Sequence, residues 1–363
     1  MDYYENDDDL NLIKHNLEEE ILKAFDRIKD FTIRTPIIKS NYLSEALNTN
    51  IWIKYENNQL TGSFKLRGAS NKLQILKEKG IREIVTASSG NHGLAVAYMC
   101  KLLDIKGNIF IPSSCDAAKK EKILSNGCEN ISLKIIDSKN SGEAEKAAIE
   151  FSKINKIHYI SPYNDLDVIC GQGTIGYEIT ENLNLFSNST SINRKEKIAF
   201  DEIIVSVGGG GLIGGISSYV LAKKNNKYTK IIGVQPVNSA VLFHSLKAGR
   251  ILDPEKNEVK DEETISDGTA GGIDKDTITF DLCKNNVFDW ELIEEDDIKK
   301  DLKEFIENEL NIIEGSSAIT ISAVKRRILK NHFNDKDLKD KNFLLLFCGR
   351  NISIEKLKKV LNQ

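Results

Sequence analysis

From residue 83 onward, short apolar runs alternate with stretches of helical spacing, and this alternation constrains the fold more than any other feature. Residues 83–86 predict a strand, 93–102 a helix, 107–111 a strand, 117–124 a helix, 132–136 a strand and 141–152 a helix. A second series places strands at 203–207, 231–234 and 343–347. Upstream, apolar residues at Leu17, Ile21, Leu22, Phe25 and Ile28 fit an amphipathic helix, 51–55 reads as a strand, and 70–79 as a helix closed by Gly80. Parallel strands need long crossovers, which helices supply, so the expected class is α/β, with two open, mostly parallel sheets and helices on both faces. In such sheets ligands bind beyond the carboxyl ends of the strands, so the loops there are where chemistry is expected.

Three of those loops, and one earlier segment, carry unusual residues. The run Thr61-Gly62-Ser63-Phe64-Lys65-Leu66-Arg67-Gly68-Ala69 places Lys65 between an aromatic residue and a helix-prone stretch. A lone lysine is normally a solvated surface charge, so Lys65 gains meaning only from its company. Ser88-Ser89-Gly90-Asn91-His92-Gly93 follows a predicted strand and taken alone reads equally well as a polar helix cap. Gly208-Gly209-Gly210-Gly211-Leu212 lies between an apolar strand and a helix-prone stretch, where converging backbone N–H groups make a phosphate cradle. Cys348-Gly349-Arg350-Asn351 ends another strand; a buried, inert thiol is the ordinary explanation for Cys348. Gly209, Gly211 and Gly214 also satisfy the dinucleotide pattern Gly-x-Gly-x-x-Gly, which leaves a nicotinamide oxidoreductase as a remote alternative. That reading wants an acid at the end of the next strand, and 225–235 contains none, so a single phosphate group is favoured. A lysine able to form an imine together with a phosphate cradle meets the requirements of pyridoxal 5'-phosphate.

Composition narrows the alternatives. A net charge of −4 with both signs interspersed lacks the basic field that nucleic-acid binding needs. Six cysteines without a Cys-x-x-Cys pair indicate neither a zinc site nor a disulfide framework. The N-terminus lacks the order of a secretion signal, and a cytoplasmic location with no membrane partner is expected. Residues 203–222 carry no charge over twenty positions, but their six glycines and three serines fit a strand, a loop and a helix start better than a membrane span. Asp7-Asp8-Asp9 suggests a solvated tail, and 182–197 a surface loop without chemistry.

With these motifs in place, the chain resembles the fold-type II pyridoxal-phosphate enzymes (tryptophan synthase beta-like), in the group of serine/threonine dehydratases and serine racemases. The resemblance runs from about Leu17 to the end, and Ser63-Phe64-Lys65-Leu66-Arg67-Gly68-Ala69 is its most specific element. It implies a disordered acidic tail over 1–16, a large cofactor-binding domain from 17–83 and 161–363, and a small inserted domain over 84–160. Lys65 is implied as the lysine that bonds the cofactor and later takes the substrate Cα proton, with Phe64 beside it. Asn91 is implied against the cofactor's 3'-oxygen, Gly208 to Gly211 and Leu212 on its phosphate, and Cys348 against its ring nitrogen. Ser88, Ser89, Gly90, Asn91 and His92 are implied to hold the substrate, with Ser89 a second acid/base in racemases. The expected activity is dehydration of L-threonine or L-serine to 2-oxobutanoate or pyruvate plus ammonia, with a serine racemase or a 3-hydroxyaspartate dehydratase as alternatives. A homodimer or tetramer is expected, acting on a small amino acid. Relatives that bind a divalent cation use two acids where this chain has Gln235 and Val241, so no metal is expected. The chain ends shortly after Asn351, so feedback control through a C-terminal regulatory domain is not expected. Glu314 and Asp267-Gly268-Thr269-Ala270-Gly271 border the pocket on this reading, although a helix cap and a turn explain them equally well.

Overall fold

The computed structural model describes residues 7–138, 141–181, 185–186, 198–223, 226, 228–330 and 338–362. Its strands are β1 (Ile37–Lys39), β2 (Asn50–Lys54), β3 (Glu83–Ala87), β4 (Lys106–Pro112), β5 (Ile131–Ile136), β6 (His158–Tyr159), β7 (Leu185–Phe186), β8 (Glu202–Ser206), β9 (Lys230–Pro236), β10 (Asp289–Ile293) and β11 (Asn342–Leu346). They form a seven-stranded sheet in the order β10-β9-β8-β11-β2-β1-β7 and a four-stranded sheet in the order β5-β4-β3-β6. Every pair is parallel except β1 with β2. The expected class, two mostly parallel sheets covered by helices, is the observed one.

Parallel sheets covered on both faces read as unbroken apolar runs, and β11 illustrates why. Phe343 and Leu345 join Ile51, Ile53 and Ile204 in the core on one face, while Leu344 and Leu346 join Trp52, Ile203 and Val205 on the other. The twenty uncharged residues 203–222 divide into β8, a glycine loop and the Gly211–Ala222 helix. Among the described residues no helix is long and apolar enough to cross a membrane.

Several expectations need correction. The first helix spans Asp7–Ile28, so the tail expected over 1–16 is helical from Asp7, and residues 1–6 lie outside the described residues. The helix expected at Ser70 begins at Lys65, and the one expected at Gly93 begins at Asn91. Within the loop expected over 182–197, Leu185–Phe186 pairs with β1; the remaining residues lie outside the described ones.

The early start of the Lys65–Glu78 helix rests on a buried charge cluster. Arg67 is 0% exposed, and its guanidinium donates to Glu56 at 2.8 Å and to Glu178 at 2.8 Å. Lys54, at the end of β2, is also fully buried; it pairs with Glu178 and donates to the Thr35 carbonyl at 2.8 Å. Two cations and two carboxylates cancel formally, so the set survives burial where a single charge would not. The cluster ties β2, the Lys65–Glu78 helix and the Leu166–Thr180 helix together at one point. Arg67→Ala leaves two buried carboxylates facing one lysine, and the expected loss is about 3–5 kcal/mol of stability. A urea denaturation series on wild type and variant checks this; an unchanged midpoint contradicts it.

Candidate active site

The four motifs meet in one crevice at the carboxyl ends of β3, β8 and β11. Phe64 N–H donates to the Cys348 carbonyl at 3.0 Å, and Ser63 pairs with Gly349 across an isolated antiparallel bridge. Asn91 and Asn351 are joined by a 2.6 Å side-chain hydrogen bond. Lys65 Nζ donates to the Pro162 carbonyl at 2.7 Å, and the neighbouring Tyr163 packs on the glycine loop. Ser206, the last residue of β8, hydrogen-bonds the Cys348 thiol.

Lys65 opens its helix, with its ammonium 5.2 Å from the centre of the Phe64 ring. Among the described residues no carboxylate pairs with it. Desolvation therefore dominates and lowers its pKa to about 8, opposed only by the Cys348 sulfur. Such an amine is substantially neutral slightly above neutrality, the form that acts as nucleophile or base.

Gly210 caps the Gly211–Ala222 helix with φ +86 and contributes no side-chain hydrogen bond, so the helix presents its first N–H groups uncapped. Glycine is required sterically as well: a β-carbon on Gly209 would lie 2.4 Å from the Tyr163 ring, and one on Gly210 2.9 Å from Thr279 Cβ. Thr279 Oγ1 steadies the loop by donating to the Gly209 carbonyl at 2.6 Å. Unspent N–H donors and the positive end of a helix fit a phosphate dianion, and the carboxylate-free lysine fits its aldehyde.

The loop after β3 leaves Ser88 and Ser89 half-buried and Gly90 exposed. Gly90 caps the Asn91–Leu103 helix without a side-chain bond, while its own N–H donates to Ser88 Oγ at 3.2 Å, so this second helix start is also uncapped. His92 is placed differently from the rest of its motif. Its ring is buried, with Nε2 3.0 Å from Thr86 Oγ1, and desolvation followed by the nearby Lys65 charge lowers its pKa to about 3. The ring is a neutral core group, and only the backbone of His92 faces the loop's function.

Cys348 is 3% exposed, with its thiol pushed up to about 12 by burial and then by the Glu314 charge. It lies 3.8 Å from Glu314 Oε1 and 3.6 Å from Ser317 Oγ. Gln235, at the end of β9, spends its side-chain oxygen on Phe243 N–H at 2.8 Å, so nothing there resembles a ribose-binding acid.

Three further participants are Tyr163, which no motif marks, Glu314, expected at the border of the pocket, and Asn351, the last residue of the Cys348 motif. Tyr163 covers the glycine loop while its hydroxyl accepts Asp274 N–H at 2.8 Å. Glu314 accepts from Asn91 Nδ2 at 2.9 Å and from Asn351 N–H at 2.9 Å. Asn351 lies just beyond the strand-end cysteine, and that adjacency is the one signal that marks it.

The profile of a family described as pyridoxal-phosphate-dependent enzymes matches residues 28–349. A catabolic L-threonine dehydratase of Staphylococcus aureus is 35% identical over 94% of this chain and 91% of its own length. The processed form of threonine deaminase isoform 2 from Solanum lycopersicum superposes with a TM-score of 0.82 at 29% identity, covering 98% of this chain and 88% of that one. A serine racemase from Dictyostelium discoideum superposes with a TM-score of 0.76 at 29% identity, covering 93% and 98%.

Two outcomes follow from the geometry. Modification of Lys65 by an amine-directed reagent, followed by peptide mass spectrometry, should rise with pH through a midpoint of about 8, well below surface lysines. Gly209→Ala, which drives a methyl group into Tyr163, should weaken pyridoxal-phosphate binding at least about tenfold in an equilibrium titration.

Proposed function

Because the chain belongs to the family of pyridoxal-phosphate-dependent enzymes, we propose that it is an ammonia-lyase that converts L-threonine or L-serine to 2-oxobutanoate or pyruvate. The observation that carries this reading is a desolvated, carboxylate-free Lys65 sharing its crevice with an uncapped glycine-rich helix start and a neutral thiol. The threonine dehydratase of Staphylococcus aureus and the tomato threonine deaminase support the substrate class.

When bound, pyridoxal phosphate supplies an aldehyde for amine exchange and an electron-withdrawing ring that acidifies the Cα–H of the attached amino acid. Gly208 to Gly211 and Leu212 hold its phosphate through backbone N–H groups, and the packing of Tyr163 and Thr279 keeps that cradle rigid. Ser88, Ser89, Gly90 and the N–H groups of Asn91 and His92 would orient the substrate carboxylate at the second uncapped helix start. Lys65 Nζ would hold the cofactor through its aldehyde and, as a neutral amine, would serve as the base for the Cα proton. Cys348, a neutral thiol, would stand against the ring nitrogen without the charge that a carboxylate would supply there.

Polar contacts join 84–160 to the rest of the chain around the crevice: Lys119 to Asp267 at 3.2 Å, Lys122 to Asn351 at 2.5 Å and Lys146 to Glu255 at 2.7 Å. They support a small domain over 84–160 that closes on a large one formed by 17–83 and 161–363, expelling water from the reaction. All six cysteines are free thiols, which supports the cytoplasm as the location. A homo-oligomer completes the reading, supported by the exposed apolar Leu310 and Ile312 flanking Asn311.

Racemisation is a second reading, favoured by the half-buried Ser89 at the crevice and by the likeness to a serine racemase. The loaded protein given L-threonine should release 2-oxobutanoate, with Lys65→Ala abolishing turnover. Given L-serine it should release pyruvate faster than D-serine; D-serine at an equal rate contradicts the lyase reading in favour of the racemase.

A further inference from the structure

Glu314 and Asn351 stand behind Asn91 in an arrangement that decides which way its amide points. Oxygen and nitrogen of an amide are distinguished only by their partners, so the chain of donors and acceptors has to be followed to a group of fixed polarity. That group is the Thr61 backbone carbonyl, which can only accept. Asn351 Nδ2 donates to it at 2.9 Å, which turns Asn351 Oδ1 outward to accept from Lys122 Nζ at 2.5 Å. Asn351 Nδ2 also donates to Asn91 Oδ1 at 2.6 Å. With its oxygen taken, Asn91 presents its NH2 to Glu314, at 2.9 Å from Oε1 and 3.2 Å from Oε2. The same carboxyl accepts Asn351 N–H at 2.9 Å and lies 3.8 Å from the Cys348 thiol. Space for it is provided by Gly349, where a β-carbon would lie 2.7 Å from the carboxyl.

We infer that Glu314 and Asn351 are positioning residues that fix Asn91 as an N–H donor toward the 3'-oxygen of the cofactor and steady Cys348 beside its ring. This inference rests on the reading that the crevice holds pyridoxal phosphate. A flipped Asn91 would turn its carbonyl oxygen toward both the ionised Glu314 and the 3'-oxygen, three acceptors without a proton between them. The electrostatics agree with this assignment. Burial first and then the Asp267 charge raise Glu314 to about 7, while the donors Asn91 and Asn351 and the Lys119 charge pull it back toward the carboxylate. Both N–H donors thus act on the ionised form, which is how a buried carboxylate is held.

The variants separate hydrogen-bond polarity from shape. Asn351→Asp keeps the shape beside Lys122 and cannot donate, so Asn91 loses the partner that sets its direction. Asn351→Ala removes the partner without imposing the wrong polarity, and Glu314→Gln keeps an acceptor oxygen for Asn91 where Glu314→Ala does not. Affinity for pyridoxal phosphate and the absorption band of the loaded protein are measured without substrate. Expected losses of affinity are about tenfold for E314A and N351A, within about threefold for E314Q, and more than about tenfold for N351D with a displaced band. N351D loading like wild type with an unmoved band overturns the inference, as does E314Q losing as much as E314A. Wild type that fails to load at all overturns the site reading along with the inference. Loaded wild type that leaves L-threonine untouched counts against the lyase reading alone, because these measurements need no substrate.

Discussion

Two cations stand one residue apart at the start of the Lys65–Glu78 helix, and the protein treats them in opposite ways. Arg67 is buried against Glu56 and Glu178, which raises its affinity for the proton far above that of a free side chain. Lys65 is half-buried, and among the described residues no carboxylate pairs with it, so desolvation loosens its proton. A single unpaired cation is costly to bury, so the helix start is stable only because its neighbour is paired twice. Rigidity and reactivity are thereby divided within the first turn of one helix. The buried pairs hold the backbone, and the unpaired amine is left for chemistry.

The rest of the site follows from where parallel strands end. β3, β8 and β11 run in from two sheets and release the chain into three loops that face Lys65. Two of those loops lead directly into helices whose starts carry no side-chain cap, Gly90 and Gly210. An isolated helix normally satisfies its first N–H groups with a Ser, Thr, Asp or Asn side chain, as Ser353 and Asp165 do elsewhere in this chain. Leaving two starts uncapped is what the proposed reading needs for a phosphate at one and a substrate carboxylate at the other. His92 and Cys348 are both held neutral by burial, which leaves Glu314 as the carboxyl beside Asn91 and Cys348.

Much of this was legible in the sequence, for identifiable reasons. Central parallel strands are apolar throughout, so β3, β4, β8, β9 and β11 were readable to within two residues. β10 was not: Asp289 and Glu291 break its apolar run, and Arg327, 36 to 38 residues away in the chain, pairs with both and sustains the burial of Glu291. β1, β6 and β7 are two or three residues long and offer no periodicity. The five missing residues of the Lys65–Glu78 helix have the same cause, since two charges and a glycine look like a loop until Glu56 and Glu178 are brought beside them. Motif residues with special backbone or chemical demands, Lys65, Asn91 and the glycine run, stood out by type and spacing. Tyr163 and Glu314 act through contacts more than 30 residues away in sequence, and no local pattern records such contacts.

The central claim is that one lysine, alone among the 50 lysines and arginines of the chain, is set up to bond the cofactor. Borohydride reduction of the protein loaded with pyridoxal phosphate, followed by peptide mapping, tests it most directly. The account predicts a single stable adduct on Lys65. An adduct spread over surface lysines, or fixed on any other residue, would contradict it.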